Sequence, residues 1–309
     1  MIDDTPGLPD YETPTPEHEY ASERFRGPRK LPSRKGNPNS NVRKAFASKG
    51  DDVTFSRWVK VKRPAAPVQQ ELLTSPRVVD PRLLRRPAIV AGRSIFHAKG
   101  VKSAADAGNV LVSGHSNVKI GRDVRKGWAR GYWIYTLTLE ERATCPRTCH
   151  HWATCYGNNM PYAKRVDHTD RGALEAAIRR DVERLLSIKG RVGILVRLHA
   201  LGDFYSAPYV RFWSALLREF PQLAAYGYTA WAPSTDIGKA ITAAKREHGR
   251  RFAVRWSNGR DDEDCAIPVR AVDEAVNAIV CPEQTGATIG CGKCGLCWGT
   301  QKNIAFLEH

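Results

Sequence analysis

The stretch TDRGALEAAIRRDVERLLSIKGRVGILVRLHALGDF, residues 169–204, contains the change of period that decides the fold. Leu174, Ala177, Ile178, Val182, Leu185 and Leu186 recur at helical spacing, with Asp170 placed as an N-cap and Gly190 as the stop. The next run, RVGILVRLH, reads as a strand. Ile194, Val196 and Leu198 fall on the face toward the helices, and Gly193, Leu195, Arg197 and His199 on the other. A helix feeding such a strand is half of a β-α-β unit, so a parallel sheet follows if the alternation continues on both sides.

It does continue. GYWIYTLTL (131–139) is a strand upstream; APYVRFWSALLREF (207–220) is a helix, QLAAYGYTAW (222–231) a strand, and STDIGKAITAAKREHG (234–249) a helix with a hydroxyl cap and a terminal glycine. RFAVRWSNG (251–259) is a strand, VRAVDEAVN (269–277) a short helix and AIVCPEQ (278–284) a last strand. Five strands with intervening helices predict an α/β fold, a parallel sheet curled as a partial or full (β/α) barrel over residues 131–280. Residues 1–80, rich in Pro, Ser, Arg and Lys without a sustained period, read as a disordered basic tail, 81–130 as an arm packing on the core, and 281–309 as a C-terminal cysteine knuckle.

Polar chemistry in such folds gathers at the carboxyl ends of the strands. Each end carries a conspicuous group: three cysteines after strand 1, Gly202-Asp203 after strand 2, Thr229 and Trp231 after strand 3, Ser257 and Asn258 after strand 4, and Cys281, Glu283 and Gln284 after strand 5. The expectation is one active mouth. Asp203 and His199 are its candidate catalytic groups; Arg197, Arg255, Ser257 and Asn258, with Asp203, are its candidate cofactor contacts. Two arginines on the inner face need anions, from a bound carboxylate or phosphate or from Asp203 and Glu283.

A chain of 309 residues, 42 % hydrophobic, buries a core without covalent staples, so its eight cysteines need another reason. No apolar run spans a bilayer and the first residues hold no leader-like apolar segment, so the expectation is a cytoplasmic protein, with no membrane partner, whose cysteines serve as ligands or catalytic thiols. The net charge of +16 is uneven: residues 1–130 carry 25 Lys and Arg against 13 Asp and Glu. That stretch suits either a solvated tail or a counterion-releasing tether for nucleic acid.

The cysteines fall into two sets. CPEQTGATIGCGKCGLCW supplies Cys281, Cys291, Cys294 and Cys297, four thiolates for a closed site of zinc or an iron-sulfur cluster. TCPRTCHHWATCYG supplies Cys145, Cys149 and Cys155. Three thiolates leave one iron of a cluster open, whereas zinc would recruit His150 or His151 as fourth ligand. Cys265 is expected to be a bystander.

A strand, a three-cysteine loop ending Cys155-Tyr156, a helix, and a strand closing in a Gly202-Asp203 turn resemble the radical SAM superfamily. The resemblance implies an open 4Fe-4S cluster on Cys145, Cys149 and Cys155, S-adenosylmethionine bound through its amine near Asp203, and a closed auxiliary cluster at the C-terminus. The second cysteine interval here is five residues where the superfamily has two. TLTLEERATCPRTCHHWATCYGNNM, VRLHALGDFYSAPYVRFW and CGKCGLCW together resemble a cysteine-rich family of phages and prophages, gene product 88, over roughly residues 115–309; that likeness implies a mobile-element origin and no activity. Two functions are therefore expected: an iron-sulfur enzyme acting on an unknown, nucleotide or nucleic-acid, substrate, or a non-enzymatic nucleic-acid-binding protein with two structural zinc sites.

Overall fold

The computed structural model describes residues 81–189, 192–257 and 264–308; the tail over residues 1–80, Gly190 and Asn258 lie outside the described residues. In chain order come α1 (Pro81–Leu84), α2 (Pro87–Val90), α3 (His97–Gly100), β1 (Val101–Lys102), β2 (Val112–Ser113), β3 (Trp133–Thr136), β4 (Arg165–Val166), α4 (Arg171–Lys189), β5 (Ile194–Leu198), α5 (Ala207–Glu219), β6 (Leu223–Thr229), α6 (Asp236–His248) and β7 (Phe252–Trp256). The chain ends in β8 (Ala266–Val269), β9 (Ala278–Val280), α7 (Cys291–Cys294), α8 (Leu296–Gly299) and β10 (Asn303–Leu307).

The main sheet has the order β2-β3-β5-β6-β7, parallel except for β2, which runs antiparallel to β3. Two of its helices, α4 and α6, are capped as the sequence predicts, and Ser206 adds a cap to α5. The Asp170 carboxylate accepts from the Ala173 amide (2.9 Å), Ser206 from Tyr209 and Thr235 from Gly238, and Gly249 follows α6 at φ +53°. Each cap answers amides that the first helical turn leaves without intrahelical partners.

Helices α4, α5 and α6 all cover one face, where Leu174, Ile178 and Val182 meet Val196, Leu198 and Val254, with Trp213 and Leu216 fully buried beside them. The buried carboxylate of Asp181, on α4, accepts from the amides of Val110 (2.7 Å) and Leu111 (2.9 Å), tying the segment before β2 to the helical layer. Residues 81–130 therefore supply an edge strand and core side chains as well as an arm.

The expected barrel does not close. β9, expected as the fifth strand, instead joins β8 and β10 in a separate parallel sheet of order β8-β10-β9. The expected helix over 269–277 is a 3₁₀ turn at Val272–Glu274. The reason lies on the sheet's second face, where Ile134, Leu195, Ala224 and Tyr226 present apolar surface. In a barrel that face would line a lumen filled by strand side chains. Here Cys281, Cys297, Trp298 and Ile304 pack onto it from the C-terminal segment, so burial is achieved without closure.

Candidate metal centres

The loop after β3 is framed by buried charge. Glu140 accepts from the Ser94 amide (2.9 Å), Arg93 Nε (3.1 Å) and His97 Nδ1 (2.9 Å). Glu141 takes Arg165 through two nitrogens, at 2.6 and 3.1 Å, and the Ser94 hydroxyl at 2.7 Å. Arg165 also donates to the carbonyls of Gly157, Met160 and Ala163, and Arg142, at φ +66°, donates to Trp152 O (2.7 Å) and Asn158 Oδ1 (2.6 Å). With both Glu141 and Arg165 fully buried, the pair is stable only because each remaining donor and acceptor is satisfied. Its product is a fixed course for residues 142–163, which carry Cys145, Cys149 and Cys155.

Asp203 joins this loop to the sheet. Its carboxylate accepts from the Phe204 amide (2.7 Å) and from the Ala230 amide at the end of β6 (2.8 Å), and its own amide donates to Thr144 Oγ1 (3.0 Å), beside Cys145. Gly202 permits the approach: at φ +84° a Cβ there would stand 2.6 Å from Thr144 Oγ1. Burial pushes the Asp203 carboxyl up to about 7, against the pull of the two amides.

His199 departs from the expected face. Its φ of +53° breaks the alternation of β5 and turns the ring against Phe204 (4.6 Å between centroids) and Tyr209 (5.8 Å), away from the face of Arg197. Burial first, then the Arg197 charge, lowers its pKa to about 3. It is a neutral interior imidazole.

The three thiols lie close enough that Cys149 and Cys155 raise the pKa of Cys145, and Cys149 that of Cys155. Burial comes first for each; for Cys145 the Asp203 carboxylate comes next, and Cys155 is pushed up to about 11. Main-chain amides of His151 and Gly157 donate to the sulfurs of Cys149 and Cys155, as thiolate ligands require. His150 and His151 are exposed. The Tyr156 hydroxyl donates to Ala200 O, fastening the loop to the turn before Asp203.

The terminal set is separate. Cys281, Cys291, Cys294 and Cys297 line one pocket with Trp298 and Ile304, on the sheet's second face, where Tyr228 and Arg255, next to the carboxyl ends of β6 and β7, reach Cys297. Arg197 of β5 lies within electrostatic reach of both Tyr156 and Cys297. Burial followed by the charges of Cys297 and Cys281 lifts Cys291 to about 12. Tyr228 Oη donates to Cys297 Sγ (2.9 Å) and the Leu296 amide to Cys294. Gly292 lets the knuckle approach the 119–133 segment, since a Cβ there would stand 2.3 Å from Asp123 O.

The donor sets therefore fit thiolate-bound metal in kind: clustered cysteines, amides and a hydroxyl aimed at sulfur, and buried thiols that only a bound cation would hold ionised. Among the described residues, however, no three His, Cys, Asp or Glu side chains converge closely enough to hold one metal ion.

Arg197 lies 4.4 Å over the Tyr228 ring and 5.6 Å over Tyr226. Arg255 pairs with Asp264 (2.9 Å) and donates to the carbonyls of Leu296, Cys297, Thr300 and Lys302. Both arginines find their electron-rich partners inside the fold, and neither of the expected acids, Asp203 and Glu283, is the one that pairs with Arg255. The Ser257 hydroxyl and amide both donate to Thr229 O (2.8 Å), and Cys265 sits in the helix-side core. The residues missed from sequence are Glu140, Glu141, Arg142 and Arg165. The signal available was the charged triplet EER at a strand end, one turn before the first cysteine.

The gene product 88 family model matches residues 110–300. The chain belongs to the gene product 88 family. A curated member, the Gene 88 protein of Mycobacterium phage L5, is 29 % identical over 137 residues, covering 36 % of this chain and 54 % of the phage protein. The chain thus spans about half the length of that curated relative. No solved structure matches, and neither the family match nor the open sheet supports a radical SAM organisation. Among the described residues no helix is long and apolar enough to cross a membrane.

Proposed function

We propose that the chain is an iron-sulfur protein with two centres: a closed, structural cluster on Cys281, Cys291, Cys294 and Cys297, and an open one on Cys145, Cys149 and Cys155 at the carboxyl ends of β3, β5 and β6. One observation carries the choice of cluster over zinc. Beside Cys145, Cys149 and Cys155 the histidines that zinc would recruit as a fourth ligand, His150 and His151, are both exposed. A tetrahedral zinc site needs that fourth protein ligand, whereas three thiolates suffice for a 4Fe-4S cluster with one open iron.

An open cluster, when bound, supplies an iron with an exchangeable site for a small ligand. The chain's own contribution is to hold the loop through Glu141 and Arg165, to set Asp203 beside Cys145, and to keep His199 neutral. S-adenosylmethionine as that ligand, and radical chemistry on a nucleotide or nucleic-acid substrate in the cytoplasm, is the narrower form of the proposal; it rests on the position of Asp203 alone.

Anaerobic purification followed by iron, sulfide and zinc analysis tests the broad form: about eight iron per chain is expected for two 4Fe-4S clusters, with roughly half lost in Cys149→Ala. Colourless protein with zinc in both sites overturns it. For the narrow form, adenosylmethionine should change the electron paramagnetic resonance signal of the reduced protein, and Cys149→Ala should abolish that change. A signal indifferent to adenosylmethionine removes the radical mechanism and leaves the clusters.

A further inference from the structure

The loop 124–132 closes on itself, with the Val124 amide donating to Tyr132 O (2.9 Å) and the Gly131 amide to Val124 O (2.8 Å). It presents Arg125, Lys126 and Arg130 to solvent. It is also docked on the cysteine knuckle. The Arg125 amide donates to Gly292 O (2.8 Å), a Cβ on Gly295 would stand 3.9 Å from the Lys126 stem, and the Trp128 indole donates to Trp298 O (3.0 Å). Lys293, between Cys291 and Cys294, is exposed on the same segment.

Two further cations are fixed by aromatic faces: the Arg250 guanidinium lies 5.2 Å over Trp128, and that of Arg122 5.1 Å over Trp133. The carboxylate that answers this group is Asp123, 3.1 Å from Arg125 and 3.4 Å from Arg122. Nearby Glu283 is taken by Lys119 at 3.1 Å. Arg125, Lys126, Arg250 and Lys293 are thus carried by the loop, its Trp128 and the knuckle docked on it, with a single carboxylate among their ion-pair partners, and several are held in place by a ring or by the docked backbone. Such an array loses little side-chain freedom on meeting a row of phosphates.

We propose that this surface, formed by the 122–130 loop, Arg250 and the cysteine knuckle, binds the phosphate backbone of a nucleic acid. It is distinct from the basic tail and stands whichever metal the knuckle holds. Each Lys or Arg contact to a phosphate releases condensed counterions from the strand, and the partly exposed ring of Trp128 offers bases an edge beside those contacts.

The test uses the full chain and fluorescence anisotropy of labelled single-stranded DNA, single-stranded RNA and duplex DNA across a salt series. Arg125→Gln/Lys126→Gln/Arg130→Gln should weaken binding at least about tenfold at ~100 mM salt, and lower the slope of log K against log salt by about 2 to 3, at ~0.7 to 0.9 per lost contact. Wild-type affinity and slope in a variant that melts like the wild type would overturn the proposal. So would tighter binding to phosphatidylserine vesicles than to any strand. Should the triple variant not fold, Lys126→Gln and Lys293→Gln, both at exposed side chains, must each lower the slope by roughly 0.7 to 0.9; unchanged slopes there also overturn it.

Discussion

The two cysteine regions differ in how much of their support is paired charge. The loop over 142–163 is held by its own charge network, in which Glu140, Glu141, Arg142 and Arg165 satisfy main-chain groups on every side. The terminal knuckle has a single buried cation, Arg255, which pairs with Asp264 and donates to the carbonyls of Leu296, Cys297, Thr300 and Lys302. The rest of its anchorage is sulfur, aromatic and backbone contact: Cys281, Cys297 and Trp298 against the sheet, Tyr226 at 4.8 Å from the Trp298 ring, and main-chain bonds to residues 119–125. A loop already rigid without metal can leave a metal partly liganded. A knuckle whose thiols sit in the core needs something to satisfy them, so the metal proposed there would be part of the fold. In the proposed reading the same residue type, at intervals of three to ten positions in sequence, would thus serve reactivity in one place and stability in the other.

The sharpest break of this comparison is Cys294→Ala against Cys149→Ala. A structural metal contributes on the order of 10 kcal/mol to folding, about the whole stability of a typical domain. Cys294→Ala should therefore give insoluble or protease-sensitive protein, and Cys149→Ala soluble protein with a cooperative melt. Soluble yield and thermal melting of the pair decide it; equal behaviour would mean that both centres, or neither, support the fold.

The charge frame itself is probed by Glu141→Gln. The substitution keeps the volume but leaves the buried Arg165 guanidinium without its carboxylate, for an expected loss of about 3 to 5 kcal/mol. Chemical denaturation measures it. Metal at Cys145, Cys149 and Cys155 should loosen while the terminal centre is retained. A loss below about 1 kcal/mol would place the Glu141–Arg165 pair among ordinary surface ion pairs in energy and undo the contrast between the regions.

The alternation of helix and strand, the caps of α4 and α6 and the two cysteine sets were all legible because each is a local pattern: a 3.6-residue period, a hydroxyl before a helix, cysteines a turn apart. Barrel closure was not. It depends on what fills the second face of the sheet, and the filler, Trp298 and the knuckle, lies roughly 75 to 100 residues downstream of Ala224 and Leu195. His199 escaped for a different reason: strand periodicity assumes extended backbone, and one left-handed residue reverses the face of its side chain. Arg255 was read correctly as an inner-face cation, but its partner Asp264 stands in the sequence DDEDC, which has no helix or strand period to place it.

Titration gives a smaller and more local test, because the strongly shifted carboxylate and imidazole both belong to the mouth. His199 titrates near 6.5 in an unfolded chain and at about 3 when folded. As pH falls below 6.5 the unfolded state takes up a proton that the folded state refuses, so this side chain withdraws stability on acidification. Between pH 6.5 and 5 that is about 2 kcal/mol, at 1.36 kcal/mol per pKa unit. Asp203 acts in the reverse sense. Its folded pKa of about 7 lies above the ordinary 3.8, so its contribution to stability is present at low pH and lost as pH rises through that interval. The two oppose each other in the wild type, and a single pH profile would look nearly flat. His199→Asn removes one of them, and asparagine tolerates the left-handed backbone of position 199. The wild-type stability minus that of His199→Asn, taken from denaturant midpoints, should fall by about 2 kcal/mol from pH 6.5 to 5. Because Asp203 is present in both chains it drops out of the difference. Parallel profiles for the two proteins would show that His199 is protonated in the folded mouth, and would move the pH response of the molecule away from the region where Cys145 and Asp203 meet.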